Sequence, residues 1–180
     1  MGDAEKLRTL WDERAINHAM LDFGHSLDAR DRLAHAACFT DPVNINFKAF
    51  TGRDEVRVPA ALWAQFGEFI LAGGPSHHIL GNFKIAIDGD RASARVYMIS
   101  SLWTGEDSAS NRQYGWYDVW FKRVGEAWKI SRLKHDFQGV EGNAAGLANH
   151  DTAFAAIAQQ VFAPANMEAA KMWLHEMRAA

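Results

Sequence analysis

The sequence predicts an α+β fold, a cone-shaped barrel in which a curved mixed or antiparallel sheet wraps around N-terminal helices. Apolar residues recur every three or four positions through residues 3–27, which is typical of an amphipathic helix. Long stretches of alternating character fill residues 76–137 and are separated by short turns such as Asp88-Gly89-Asp90, which favours an antiparallel meander. Helices packed on one face of such a sheet define the α+β class.

The first helix is expected to end near Gly24, because glycine is a poor residue inside a helix. Asp28 follows in a polar segment, and Asp31 has the side chain of a helix N-cap for a short second helix at residues 32–38. Pro42 predicts a turn before the first strand.

The first strand is predicted over residues 43–48, where apolar and polar residues alternate. A turn at residues 51–54 then starts a third helix that runs to Leu71, with a break expected at Pro59. Gly73-Gly74-Pro75 ends this helix.

Four longer strands follow, and their alternation predicts which side chains face the inside of the cone. The uncharged set on the strand over residues 91–103 includes Met98, Ser100 and Leu102, whereas its alternate set carries an arginine. On the next strand, Tyr117 belongs to the inward set. The predicted strands cover residues 76–87, 91–103, 111–124 and 127–137.

Trp116 and Trp120 then fall on the outer face of the sheet, which predicts a covered surface. We therefore expect a homo-oligomer, a dimer or a trimer, that forms through this face.

The remaining chain predicts a helical tail. Residues 139–149 are glycine-rich and indicate a loop, and helices are expected over residues 151–162 and 166–178 with Pro164 between them. We divide the chain into a barrel domain, residues 1–140, and a C-terminal extension, residues 141–180, which acts as a lid or as an oligomer contact.

Composition narrows the classes of partner. The formal net charge is −3 with scattered Lys and Arg, which argues against nucleic-acid binding. No leader segment and no apolar run of membrane length occurs, so we expect a cytoplasmic protein without a membrane partner. Cys38 is the single cysteine, so no internal disulfide is expected.

Several segments together resemble the SnoaL-like branch of the nuclear-transport-factor-2-like superfamily. They are Leu27-Asp28-Ala29-Arg30-Asp31, His78-Ile79-Leu80-Gly81-Asn82, the hairpin Asp88-Gly89-Asp90-Arg91-Ala92, and Trp128-Lys129-Ile130. The resemblance covers roughly residues 5–140 and is strongest to scytalone dehydratases and lindane dehydrochlorinases. It implies a lyase with an Asp–His pair, which matches Asp28 and His78 here.

The sequence departs from these relatives at other positions. Two tyrosines that polarise a substrate carbonyl in the dehydratases match Leu27 and Phe47, which donate no hydrogen bond. The second histidine of the dehydratases falls near Leu102, and the pocket arginine of the dehydrochlorinases falls near Leu133. We therefore expect a different substrate.

Asp28 and His78 also make chemical sense without the family. An imidazole accepts a proton near neutral pH, and a carboxylate on its other nitrogen fixes the tautomer. We therefore interpret the pair as a general base that needs no cofactor and no metal. The protein is then expected to be a dehydratase-type lyase that acts on a small hydrophobic, aromatic substrate. Alternatives are a formaldehyde-releasing lyase on a lignin-derived aromatic, an isomerase or cyclase, and a noncatalytic binding module.

The adjacent His77 points to the opposite face of the strand by alternation. The substrate-binding residues expected around the pair are Phe23, Phe47, Trp63, Met98, Ser100, Leu102, Tyr117, Leu133, His135 and Phe137.

Overall fold

A computed structural model of the chain describes residues 2–104, 109–142 and 152–179. Its elements confirm the α+β class and the helical tail. In chain order they are α1 Asp3–Asp28, α2 Arg32–Ala37, β1 Phe39–Asn46, α3 Lys48–Thr51, β2 Val56–Val58, α4 Ala60–Ile70, β3 Ser76–Asp88, β4 Arg91–Thr104, β5 Ala109–Val124, β6 Ala127–Gly142, α5 Thr152–Val161 and α6 Pro164–Ala179.

The strands form one curved, six-stranded mixed sheet in the order β2-β1-β6-β5-β4-β3. Among the described strands, only β1 and β6 pair in parallel. Parallel neighbours need a long connection, and here α3, β2, α4 and the β3–β5 meander provide it. Helix α1 lies against the sheet and buries Ile16, Met20 and Phe23. The predicted alternation is confirmed: Val96, Met98, Tyr117 and other members of the inward sets are buried in the core.

The long helix predicted up to Leu71 is wrong in its first part. The short helix α3 ends at Gly52, which adopts the left-handed conformation with φ 70°. The chain then forms the edge strand β2, whose Val56 and Val58 pair with Ile45 and Val43 of β1. Helix α4 starts only after Pro59, which disfavours helical backbone in the residue before it.

Two further boundaries differ from the prediction. Strand β1 begins at Phe39, before Pro42, and includes a cis Asp41–Pro42 bond. Helix α1 continues through Gly24 to Asp28. The glycine leaves room for the close approach of β3, since a Cβ would lie 3.3 Å from Cδ1 of Leu80.

The predicted loops are only partly described. Residues 105–108 and 143–149 lie outside the described residues, whereas residues 139–142 extend β6 and were wrongly predicted as loop.

Helix α1 is also fixed near its start by a buried carboxylate. Arg123 donates two hydrogen bonds to Asp12, at 2.9 and 2.8 Å, and the indole nitrogen of Trp128 donates a third at 3.1 Å. These bonds lower the pKa of Asp12 against the opposing effect of burial. The helix is thereby tied to the β5–β6 hairpin.

The outer-face tryptophans lie where the alternation places them. Both are half-buried, and arginines cover their rings: Arg95 lies 4.9 Å from the ring of Trp116, and Arg132 lies 4.1 Å from that of Trp120. Cation–π contact of this kind shields an aromatic face from water. Oligomerisation through this face stays a prediction.

The tail helices pack on the barrel. Phe66 of α4 contacts Phe154 of α5 and also Phe162, with ring centroids 5.6 and 5.5 Å apart. Trp173 of α6 lies under the guanidinium of Arg57 on β2, at 5.5 Å. Within the described residues, no helix has both the length and the apolar character needed to cross a membrane.

The bulge between β5 and β6 gives the first testable prediction. A Cβ on Gly115 would lie 2.1 Å from the carbonyl oxygen of Asp136 and 2.5 Å from Cα of Phe137, and backbone atoms cannot yield as a side chain can. We expect Gly115→Ala to lower the free energy of unfolding by about 3 kcal/mol, measured by urea denaturation.

Gly81→Ala is the matched control, because a Cβ there meets no atom within 4 Å. We expect its effect to stay below about 1 kcal/mol. Equal losses in the two variants would contradict the steric account of the bulge.

Candidate active site

Asp28 at the end of α1 and His78 at the start of β3 are in direct contact. The His78 ring nitrogen Nδ1 lies 2.6 Å from Oδ1 of Asp28, and the backbone N–H of His78 donates to Oδ2 at 2.8 Å. The hydroxyl of Ser76 donates to Oδ1 at 2.9 Å. Strand β3 therefore presents three donors to one carboxylate at the terminus of the helix.

The electrostatics favour an ionised Asp28. Burial opposes ionisation, but the hydrogen bonds from His78 and Ser76 outweigh it and hold the pKa of the Asp28 carboxyl below its ordinary value. An ionised carboxylate only accepts, so Nδ1 of His78 carries a proton and donates it to Oδ1. The imidazole side chain is only 6 % exposed, so Nε2 is largely sheltered from bulk water.

His78 lies in the wall of a cavity of about 70 Å³ between the helices and the sheet. The wall is mainly aromatic and aliphatic, and the residues described there include no lysine or arginine. They are Phe23, Leu27, His35, Phe47, Phe50, Trp63, Gly67, Ile70, Leu71, His78, Ser100, Leu102, Asn111, Gln113, Tyr117 and His135.

The structure brings most of the expected substrate-binding residues to this cavity. Three of them lie elsewhere. Met98 and Leu133 point inward but are enclosed in the core, at 3 % and 0 % exposure. Phe137 lines a neighbouring groove with Phe154, although its ring also packs 5.6 Å from that of His135. The exposed His77 faces away from the cavity, as alternation predicts.

The sequence did not single out His35, Asn111 and Gln113, which also line the cavity. Gln113 lies directly across β4 from His78, since both are paired with Ser100. Continuing the alternation of β5 back from Tyr117 identifies Gln113 and Asn111. No such signal exists for His35, because six residues of α2 are too few for a periodic pattern.

His35 is a buried partner of Ser26. Its Nδ1 lies 3.1 Å from the Ser26 hydroxyl, which in turn donates to the carbonyl of Phe23 at 2.9 Å. The rings of Phe23 and Phe39 pack on the imidazole, with centroids 5.2 and 5.1 Å away.

Burial keeps two of the three cavity histidines neutral. Burial and the nearby charge of His78 lower the pKa of His35 to about 4. Burial also lowers the pKa of His135 to about 4, with Asp136 opposing and His78 assisting. The phenol of Tyr117 is neutral as well, because burial and the charge of Asp28 raise its pKa.

No group of three or more His, Cys, Asp or Glu side chains with the arrangement of a metal site occurs among the residues described.

This chain belongs to the SnoaL-like domain family, within the nuclear-transport-factor-2-like superfamily. The family model matches residues 8–134. An uncharacterised protein of Mycobacterium tuberculosis is 31 % identical over 123 residues, which cover 67 % of this chain and 82 % of the relative.

Solved structures share the fold. A scytalone dehydratase-like protein of Novosphingobium aromaticivorans is 18 % identical and matches with a TM-score of 0.67, over 75 % of this chain and 89 % of its own. The hexachlorocyclohexane dehydrochlorinase LinA-type3 of Novosphingobium barchaimii is 16 % identical, with a TM-score of 0.65 over 77 % of this chain and 94 % of its own.

The buried histidines predict a loss of stability in acid. The unfolded chain binds a proton at the ordinary histidine pKa of about 6.5, whereas folded His135 stays neutral down to about pH 4. The unfolded state therefore binds more protons between these values, and stability falls as the pH is lowered through this window. His135 contributes a loss of roughly 2 kcal/mol at pH 5 relative to pH 8.

We expect His135→Phe to reduce this acid-induced loss by about that amount, measured by urea denaturation at both pH values. His77→Gln, at an exposed position, should show the same loss as the wild-type protein. An unchanged pH dependence in His135→Phe would contradict a neutral, buried His135.

Proposed function

We propose that this protein is a cofactor-independent lyase that eliminates a leaving group from a small, uncharged aromatic substrate, with His78 as the general base. The observation that carries the proposal is the 2.6 Å contact between Asp28 and His78 in the wall of an apolar cavity. A carboxylate in this position fixes the tautomer of the base and stabilises the imidazolium that forms.

The reaction begins when Nε2 of His78 removes a proton from a carbon that an electron-withdrawing group activates. The electron pair of that C–H bond moves toward the activating group. Asp28 then faces an imidazolium, and the charge pair is stabilised in a site of low dielectric constant.

Elimination follows when the electron pair returns and forms a carbon–carbon double bond. The bond from the neighbouring carbon to the leaving group breaks, and that group departs with its electrons. In the dehydration case, the imidazolium returns its proton to the departing hydroxide. Substrate is thereby converted into an alkene and one water molecule, and His78 is neutral again.

The relatives support this class of reaction and leave the leaving group open. The names of two fold relatives refer to a dehydratase and to a dehydrochlorinase, and both of these reactions are eliminations. The same base can also shift a proton without elimination, so the mass of the product separates a lyase from an isomerase.

Removing the base or its partner tests the proposal. Aryl ketones with a β-hydroxyl group, and chlorinated or hydroxymethylated aromatic compounds, are incubated with the protein, and products are identified by mass spectrometry. We expect His78→Ala and Asp28→Asn to lower kcat by about 10²- to 10⁴-fold on any substrate that the wild-type protein converts. Asparagine would offer an N–H to the ring and favour the tautomer with the proton on Nε2.

His77→Ala is the matched control, because His77 is the neighbouring histidine on the outer face of the same strand. It should retain the wild-type rate. Activity that persists in His78→Ala would refute the assignment of the base. A product with the mass of the substrate would make the protein an isomerase.

A further inference from the structure

Among the polar side chains of the cavity outside the Asp28–His78 pair, two are rings on adjacent strands. Tyr117 and His135 are cross-strand neighbours on β5 and β6, and their ring centroids are 5.4 Å apart. They are 4 % and 3 % exposed. Nδ1 of His135 is enclosed without a hydrogen-bond partner among the described residues. Both side chains line the cavity with His78, so the phenol and the other imidazole nitrogen are polar groups that a ligand there would meet.

The packing around His135 determines which ring nitrogen a ligand can reach. Nδ1 is enclosed and has no partner among the described residues, while the ring itself lines the cavity. An enclosed N–H without an acceptor is rarer than an enclosed lone pair without a donor. The neutral ring therefore carries its proton on Nε2 and offers an N–H donor to the cavity.

The orientation of this donor is fixed by its neighbours. Phe47 stacks on the imidazole of His135, with centroids 4.9 Å apart and planes at 27°. Phe23 packs edge-on against Tyr117 at 5.4 Å. Rings held in this way lose little further freedom when a ligand binds, which is the condition for a preorganised site.

The two donors line the same cavity as the proposed base. Burial raises the pKa of Tyr117 and lowers that of His135. Both donors are neutral at physiological pH. A neutral donor stabilises developing negative charge without having lost a proton beforehand.

We propose that Tyr117 and His135 form an oxyanion-binding pair, with the Tyr117 hydroxyl and the Nε2–H of His135 donating to one carbonyl oxygen of the substrate. The inference rests on the proposed function of His78 as the base. It names the substrate class: an uncharged carbonyl compound whose carbonyl activates the C–H bond that His78 breaks.

The chemistry of elimination explains why a carbonyl is selected. When His78 takes the proton, the electron pair of the C–H bond forms an enolate, and negative charge collects on the carbonyl oxygen. Loss of one donor from such a site typically costs 10²- to 10³-fold in kcat. A haloalkane has no carbonyl oxygen on which the charge of the carbanion collects, so this use of the pair is specific to carbonyl substrates.

The positions at which the dehydratases carry tyrosines, and Tyr97 on β4, do not supply these donors. Leu27 and Phe47 line the cavity at the positions where the family resemblance places tyrosines, and neither side chain has a donor. Tyr97 is 49 % exposed and packs against Trp116 on the outer face. A carboxylate substrate would meet no lysine or arginine among the described residues of the wall.

A phenol that changes colour on ionisation tests the pair without turnover. The probe is 4-nitrophenol, whose anion resembles an enolate and absorbs visible light, titrated with wild-type protein at a pH near the pKa of the free phenol. We expect binding to increase the fraction of anion. Tyr117→Phe and His135→Phe should each weaken binding of the anion by at least about tenfold.

Three variants serve as controls. His135→Gln keeps an N–H donor and should retain most of the affinity. His78→Ala should retain the preference for the anion, and so should His77→Ala. Thermal unfolding of each variant confirms that it is folded.

Several results would overturn the inference: no binding of 4-nitrophenol to the wild-type protein, binding that favours the neutral phenol, or an anion preference that depends on His78 and survives in Tyr117→Phe. Binding of 4-nitrophenol and turnover of a substrate together separate the two proposals. Turnover that survives in His78→Ala, together with an intact anion preference, would refute only the assignment of the base. Loss of the anion preference, together with turnover that requires His78, would refute only the donor pair.

Discussion

The carboxylate of Asp28 is the point on which the arrangement of the site depends. It accepts from the ring of His78, the backbone of His78 and the hydroxyl of Ser76, which joins the end of α1 to the start of β3. These elements are far apart in sequence, and a backbone N–H is one of the donors. The bond network therefore fixes the distance between helix and strand as well as the orientation of the imidazole. Gly24 permits that distance, since a side chain there would press against Leu80.

Three histidines line the cavity, and a carboxylate partner distinguishes His78 from the other two. His78 has a carboxylate partner, whereas His35 and His135 are enclosed by rings and lack one. Desolvation disfavours a charged imidazole, and a paired carboxylate favours it. Three identical side chains thereby acquire separate chemical properties within one cavity.

The features of this structure that come from a regular alternation of apolar and polar residues were predictable from the sequence. Alternation on β4 and β5 placed Ser100, Leu102 and Tyr117 inside, because a strand between helices and water has one buried face. The family resemblance matched Asp28 to His78, and the contact between them is present.

Features that leave no periodic pattern in the sequence were not predictable, namely a very short strand, a β-bulge and a residue enclosed by packing. Strand β2 has three residues, too few for a pattern, and it forms because β1 offers an open edge. The bulge at Gly115 shifts the register of β5 against β6, and no pattern of residue spacing in the sequence predicts this shift. His35 is a cavity residue only because Phe23 and Phe39 enclose it, which is a property of packing and not of α2 itself.

The aromatic contacts of the tail have an evolutionary consequence. Rings touch in series from Phe154 of α5 through Phe66, Trp63 and Phe47 to His135, at centroid distances of 5.6, 5.5, 4.9 and 4.9 Å. The family match ends at residue 134, so the series starts in a segment outside the shared domain. Mutations in the tail helices can therefore shift the cavity wall while the residues of the barrel stay the same. The shape of the cavity can thus change without any change at Asp28 or His78.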